Sequence, residues 1–124
     1  MADKVEKLIA KDITSSVTIS SSYESNSDAP FHAYELNGMI FFTGEIAPKN
    51  GTIPAGWQTI LTMSSPYLSK NRTSATGFLY GSVNSYKKAV RLDIFTTGEI
   101  KVWASGGDTS DVYRIGFSMS FLHA

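Results

Sequence analysis

The sequence of 124 residues contains no cysteine, no excess charge of either sign and no long apolar run. The absence of cysteine excludes disulfide scaffolds, thiol chemistry and cysteine-based metal sites. Eleven basic and eleven acidic residues cancel, so charge gives no case for nucleic acid or an anionic membrane as a partner. No stretch approaches the roughly 20 apolar residues that span a bilayer, and the N-terminus has no signal-peptide core. We therefore predict one domain, made in a cytoplasm and not inserted into a membrane.

Residues that support catalysis or cofactor binding are also sparse. The two histidines, His32 and His123, stand near opposite ends of the chain's β-rich part, and neither belongs to a nucleophile or metal motif. Asp108 and Asp111 are too few for a calcium loop. The sequence does not place two carboxylates across a cleft, as a glycosidase requires. We predict no enzymatic activity, no bound metal and no cofactor.

What the chain does contain is strict alternation of side-chain types, clearest between Val90 and Ala104. Apolar residues alternate with polar or aromatic ones on both sides of Thr96-Thr97-Gly98, and a glycine ending a three-residue loop is typical of a β-hairpin. Pairing Phe95 with Glu99 places four side chains together on the outward face of this hairpin. They are Arg91, Asp93, Lys101 and Trp103.

Strand and turn signals occupy most of the remaining sequence. The other predicted strands are Val17–Ile19, His32–Leu36, Met39–Ile46, Trp57–Met63, Ala75–Val83 and Tyr113–Leu122, and the hairpin strands are Ala89–Phe95 and Ile100–Ala104. Seven or eight short strands separated by turns predict an all-β fold, an antiparallel jelly-roll-like sandwich or barrel. Residues 1–29 are predicted to be a short helical or extended segment with a Ser-rich linker, and residues 30–124 the β-sandwich domain.

The last predicted strand is unusual because its polar face carries only small residues. Gly116, Ser118 and Ser120 alternate with an apolar row, and small side chains suit close approach of a second sheet or another subunit. A sandwich strand with a plain small-residue face explains them equally well.

The order of these motifs resembles the head domain of receptor-binding proteins from the tail tip or baseplate of tailed phages that infect Gram-positive bacteria. The resemblance runs from Tyr34 to the C-terminus. It rests on YELNGMIFFTGEI, GWQTIL, SSPYLSKNR, RLDIFTTGEIKVWA and YRIGFSMSFLHA, in that order. The loop around Tyr67 departs from the family, because it lacks a second proline and an arginine after the tyrosine. No binding residue is carried over from that loop.

The resemblance implies a jelly-roll head that assembles as a homotrimer in the virion tail. Its partners would be a host cell-surface polysaccharide and other tail-tip proteins. Two alternatives stay open. The first is a structural or adaptor protein of the tail tip that uses the same fold only to assemble and binds no ligand. The second is a small secreted-type enzyme or lectin unconnected with phages.

A saccharide site needs a flat aromatic ring for the C–H face of a sugar and planar polar groups for its hydroxyls. The predicted saccharide-binding residues are Trp103, Arg91, Asp93, Tyr113, Arg114 and His32. Each has a structural alternative. Trp103 and Arg91 would alternatively form a cation–π pair that caps the hairpin, or a contact with another subunit. Asp93 would alternatively form a cross-strand ion pair with Lys101. The other residues would simply be exposed on the surface. Trp57 is predicted to anchor the core.

Overall fold

The computed structural model describes residues 9–82, 85–104 and 110–124. These residues form ten β-strands and one short 3₁₀ helix, at Thr14–Ser16. The strands are β1 (Lys11–Asp12), β2 (Val17–Ile19), β3 (Tyr23–Ser25), β4 (His32–Leu36), β5 (Met39–Pro48), β6 (Gly56–Met63), β7 (Thr73–Tyr80), β8 (Tyr86–Ile94), β9 (Glu99–Ala104) and β10 (Arg114–Leu122). All of their pairings are antiparallel, which confirms the predicted all-β class. No helix among these residues is long and apolar enough to cross a membrane.

The ten strands form one continuous sheet that curls around its apolar face. Its order is β1-β4-β5-β10-β7-β8-β9-β6-β2, and β3 pairs with β5 beyond the end of β4. Only three residues separate Ile19, which pairs with β6, from Tyr23, which pairs with β5. Because this short connection joins one margin of the sheet to a strand near the other, the sheet bends into a half-barrel.

The core lies inside this curl. It consists of the inward-facing residues, which occur at alternate positions along the strands. On β10, four residues from Ile115 to Phe121 are buried at every second position. Ile40 and Phe42 of β5 and Leu92 and Ile94 of β8 face the same interior. Period-2 alternation therefore separates each strand into a core row and an outward row.

The hairpin of β8 and β9 has the predicted register. Ile94 pairs with Ile100, Leu92 with Val102, Asp93 with Lys101 and Arg91 with Trp103. The amide of Phe95 donates to the carbonyl of Glu99 at 2.9 Å, and Gly98 has a φ of 101°. The turn type and the alternation together explain this register, because a shift by one residue would turn the apolar row outward.

The Ser-rich stretch before residue 30 differs from the prediction of a linker. Residues 11–25 contribute β1, β2 and β3 to the sheet, and Ile13 and Tyr23 are buried in the core. Ten strands are therefore present instead of seven or eight, since β1 and β3 are too short to show alternation. Residues 1–8 of the segment predicted to be helical or extended lie outside the described residues, and Lys11 is in a strand. Asp108, considered above as a calcium ligand, also lies outside them.

Gly98→Ala is expected to destabilise the protein by about 2 to 4 kcal/mol. A Cβ on Gly98 would overlap the carbonyl oxygen of Met63, and the positive φ adds strain. Gly38→Ala is the matched control, because Gly38 also has positive φ but would place its Cβ in open space, at a cost of about 1 kcal/mol. Urea unfolding of both variants measures the difference. Equal losses would show that the approach to Met63 is unimportant.

Candidate functional site: an aromatic and arginine cluster on the outer sheet face

The outward rows of β6, β7, β8 and β9 form a cluster of aromatic and charged side chains. Arg91, Trp103 and Trp57 are consecutive register partners across three strands. The neighbouring outward row places Ser74 beside Asp93. We call the group formed by Trp57, Arg72, Arg91, Asp93, Phe95 and Trp103 the tryptophan patch.

Asp93 is the centre of the tryptophan patch and is completely buried. Arg91 Nε donates to its Oδ1 at 2.8 Å and Arg91 Nη2 to its Oδ2 at 3.1 Å. Arg72 binds Oδ2 through Nε at 2.8 Å and Nη2 at 2.7 Å. Ser74 Oγ donates to Oδ1 at 2.9 Å. The carboxylate therefore accepts four hydrogen bonds and has a further ion-pair contact with Arg72 Nη2, and two arginines cover it from solvent.

This arrangement corrects the prediction for Asp93. The predicted register with Lys101 is present, but Asp93 does not point into solvent and its ion pairs are with arginines. Lys101 pairs with Glu99 and not with Asp93, since its Nζ lies 3.7 Å from Glu99 Oε2. Because Asp93 has no exposed surface, its role is to hold Arg72 and Arg91, and it is not accessible to a ligand.

The pKa of Asp93 shows which effect prevails at the buried carboxyl. Burial raises this pKa, because it penalises the charged form, whereas hydrogen bonds from Arg91, Arg72 and Ser74 lower it. The net pKa is below the usual value. Asp93 therefore stabilises the fold above the ordinary aspartate pKa, and this contribution is lost as the pH falls through its lowered value.

The aromatic rings of the patch pack against the two arginines. Trp57 and Trp103 have ring centroids 5.3 Å apart at 58°. The Arg91 guanidinium lies 5.6 Å from the Trp57 ring and that of Arg72 lies 4.3 Å from the Phe95 ring. Such pairs gain cation–π attraction. Trp57 is thus on the outer face and half-buried, and the prediction that it anchors the core is wrong.

The patch offers ligand-binding chemistry because part of it stays accessible. Trp103 is 43% exposed, and the side chains of Arg72 and Arg91 are about half exposed. Within the described residues, Nη1 of each arginine makes no hydrogen bond. A shallow depression of about 340 Å³ is lined in part by Ser74, Thr76, Ala89 and Arg91, so it shares Arg91 with the patch. Flat rings next to free guanidinium donors suit a sugar ring and its hydroxyls.

The other predicted site residues lie elsewhere. Arg114 donates to Glu45 at 2.9 Å and covers the Tyr80 ring at 4.9 Å, so its charge is used within the sheet. Tyr113 is 63% exposed beside a different cleft. His32 is exposed on β4 and stacks near Tyr34, with ring centroids 6.0 Å apart. The structure therefore brings together Trp103, Arg91 and Asp93, and separates them from Tyr113, Arg114 and His32.

Three residues of the patch were not among the predicted site residues: Trp57, Arg72 and Phe95. Alternation on β6 would have placed Trp57 outward if its register with Trp103 had been known. Arg72 precedes β7 in an irregular loop, and no local pattern indicates that it reaches Asp93. Among the residues that the structure describes, no three acidic or histidine side chains group as metal ligands.

Asp93→Asn is expected to lower the free energy of unfolding by about 3 kcal/mol at pH 7, because two half-buried arginines lose their counter-charge. The difference from the wild type should shrink below about pH 4, as the wild-type carboxyl also becomes neutral. Urea unfolding across pH measures it. Asp28→Asn, on an exposed loop, is the control. If the difference in free energy of unfolding between wild type and Asp93→Asn stayed constant down to pH 2, the role of the Asp93 charge would be contradicted.

Comparison with known proteins gives a structural likeness only. No protein-family model matches the chain, and no curated protein matches it. Among solved structures, the head domain of phage bIL170, described with the receptor-binding domains of lactococcal phages, matches with a TM-score of 0.66 at 18% identity. The match covers 94% of this chain and 99% of that one. At this identity the likeness establishes a shared all-β fold.

Proposed function

We propose that the chain is a head domain of a receptor-binding protein at a phage tail tip, and that it recognises a saccharide on the surface of a Gram-positive host. The fold shared with the bIL170 head domain supports a receptor-binding role. The motif order along the sequence supports it independently. In this proposal the protein is made in the host cytoplasm and located in the virion tail, with other tail-tip proteins as partners.

The observation that carries the proposal is the tryptophan patch. Its two indole rings present an accessible face on a rigid sheet, and Arg91 and Arg72 keep free donors beside it. Aromatic faces bind the C–H side of a pyranose, and arginine donors bind its hydroxyls in fixed directions. Since Asp93 fixes both guanidinium groups before a ligand arrives, binding would cost little side-chain entropy.

We further propose that the head assembles as a homotrimer through the outer face of β10. Ser118 and Ser120 are exposed on this face, whereas Gly116 is buried and lies next to the side chains of Tyr80 and Glu45. Phe41 pairs with Ser120 and Phe78 with Gly116, and both aromatic rings are more than 40% exposed. A second copy would cover these rings and approach Ser118 and Ser120 closely. Three copies would also present three patches, so weak sites gain avidity on a multivalent surface.

The same exposed strip also favours a second candidate function. A structural or adaptor protein of the tail tip would use this face for assembly and leave the tryptophan patch without a ligand. The two functions differ in one measurable property, which is whether assembled protein binds host cell walls.

Trp103→Ala is expected to weaken binding to host cell walls at least tenfold, which corresponds to about 1.4 kcal/mol. The loss follows from removing an aromatic anchor from the site. Sedimentation of labelled protein with purified Gram-positive cell walls measures it, beginning with lactococci because the related head domain comes from a lactococcal phage.

Lys70→Gln is the control for this experiment, since Lys70 is exposed on a loop outside the patch. Urea unfolding must show that Trp103→Ala remains folded. Wall binding unaffected by the variant would remove the patch as the site. Assembled wild-type protein that binds no wall of any species tested would favour the adaptor function.

Ser118→Glu is expected to convert trimers into monomers, because it places a charge in the middle of the proposed interface. Light scattering of the purified variant measures the mass of the particle. Thr18→Glu introduces the same charge on an exposed strand position of β2 and should leave the trimer intact. A wild-type monomer, or a Ser118→Glu trimer, would contradict the proposed interface.

A further inference from the structure

A second concave surface, of about 430 Å³, lies outside the tryptophan patch and shares no residue with it. It is lined by residues 24–27, at the end of β3 and in the following loop. Lys49 and Tyr113 line it as well. Pro48 and Val112, both buried, form an apolar floor. The volume falls in the range of ligand sites, about 300–1,000 Å³.

The backbone around this cleft is held rigidly. Glu24 is paired with Ala47 in the sheet. The amide of Val112 donates to the carbonyl of Gly51 at 2.8 Å, and that of Tyr113 donates to the carbonyl of Tyr80 at 2.7 Å. Tyr113 is nevertheless 63% exposed. Its ring is therefore fixed at the backbone but not packed into the core, as expected of a platform for a ligand.

The polar side chains of the cleft have unused hydrogen-bonding capacity. Among the described residues, the carboxylate of Glu24, the ammonium of Lys49 and the hydroxyl of Ser25 make no hydrogen bond or ion pair. Glu45, which lies close by, behaves differently, since it accepts hydrogen bonds from Asn26 and Arg114. The cleft thus combines a free acceptor, free donors, an exposed aromatic ring and an apolar floor.

This combination selects one chemical class of ligand. A phosphate or other anion would meet the carboxylate of Glu24 as well as Lys49, and an apolar molecule would leave the polar walls unpaired. A sugar ring has hydroxyls that both donate and accept, and a C–H face that packs on an aromatic ring. Its hydroxyls can bridge Glu24 and Lys49 while its apolar face contacts Tyr113.

The geometry points to a second saccharide subsite in this cleft, which binds one sugar unit independently of the tryptophan patch. This inference deepens the proposed function and rests on it for the biological source of the sugar. Tyr113 provides the stacking surface, Glu24 accepts hydrogen bonds from hydroxyls and Lys49 donates to them. A wall polysaccharide would then contact each head at two separate places, and the loss of one would weaken binding without abolishing it.

The subsite is tested by NMR on labelled full-length protein with glucose, galactose, rhamnose and N-acetylglucosamine, each added to millimolar concentration. At least one sugar should shift the signals of residues 24–27, Lys49 and Tyr113. Tyr113→Ala and Glu24→Gln should each abolish these shifts, whereas Tyr113→Phe should retain them in part. Asp28→Asn, which makes the same charge change on an exposed residue outside the cleft, should leave them unchanged.

The same variants separate failure of the subsite from failure of the proposed function. In cell-wall binding, Tyr113→Ala should cause at least a threefold loss, and combination with Trp103→Ala a larger loss than either change alone. If no sugar shifts the cleft signals, or if both cleft variants behave as wild type, the subsite is disproved even when wild-type protein binds walls. If a sugar shifts the cleft signals but walls are not bound, the subsite stands and the proposed receptor function fails.

Discussion

The buried carboxylate of Asp93 is the constraint on which the outer face of the sheet depends. A charge removed from water is tolerated only when its hydrogen-bonding capacity is filled, and here the donors come from three places in the chain. Arg91 lies two residues away on β8, Ser74 is on β7, and Arg72 reaches over from the loop before β7. The hydrogen bonds to the Asp93 carboxylate position the two arginines, and the arginines in turn pack on Trp57 and Phe95.

The register between β8 and β9 determines which side chains lie beside this network on the outer face. Because side chains alternate along β8 and β9, the turn that pairs Phe95 with Glu99 determines at once which residues enter the core and which face outward. Leu92 and Val102 then pack in the interior, while Arg91 and Trp103 lie opposite each other outside. A bulge in β6 between Thr59 and Leu61 lets that strand keep Trp57 outward and Leu61 inward. The core and the candidate site are thus formed by alternate residues of the same strands.

Local patterns predicted the strands and the hairpin register, because turn chemistry and period-2 alternation act over a few residues. They did not predict the contacts that complete the site. Arg72 is 21 residues from Asp93, and the position of Trp57 depends on which strand pairs with β9. The buried state of Asp93 was missed for the same reason, since an aspartate in an outward row is exposed unless distant residues cover it. The short strands β1 and β3 lack enough residues to show alternation, and tertiary pairing alone defines them.

Rigid placement is common to the two surfaces that we propose as ligand sites. The tryptophan patch is fixed by an ion-pair network, whereas the cleft beside Tyr113 is fixed by backbone hydrogen bonds from Val112 and Tyr113. In the proposed function, side chains held in this way would lose little entropy on binding, even where the intrinsic affinity is small. Multiplying such contacts within a head, and among the heads of an assembly, raises the affinity for a repetitive polymer far more than for a single sugar. Under the proposed function, a repeating polysaccharide is therefore the ligand that such an arrangement would bind best.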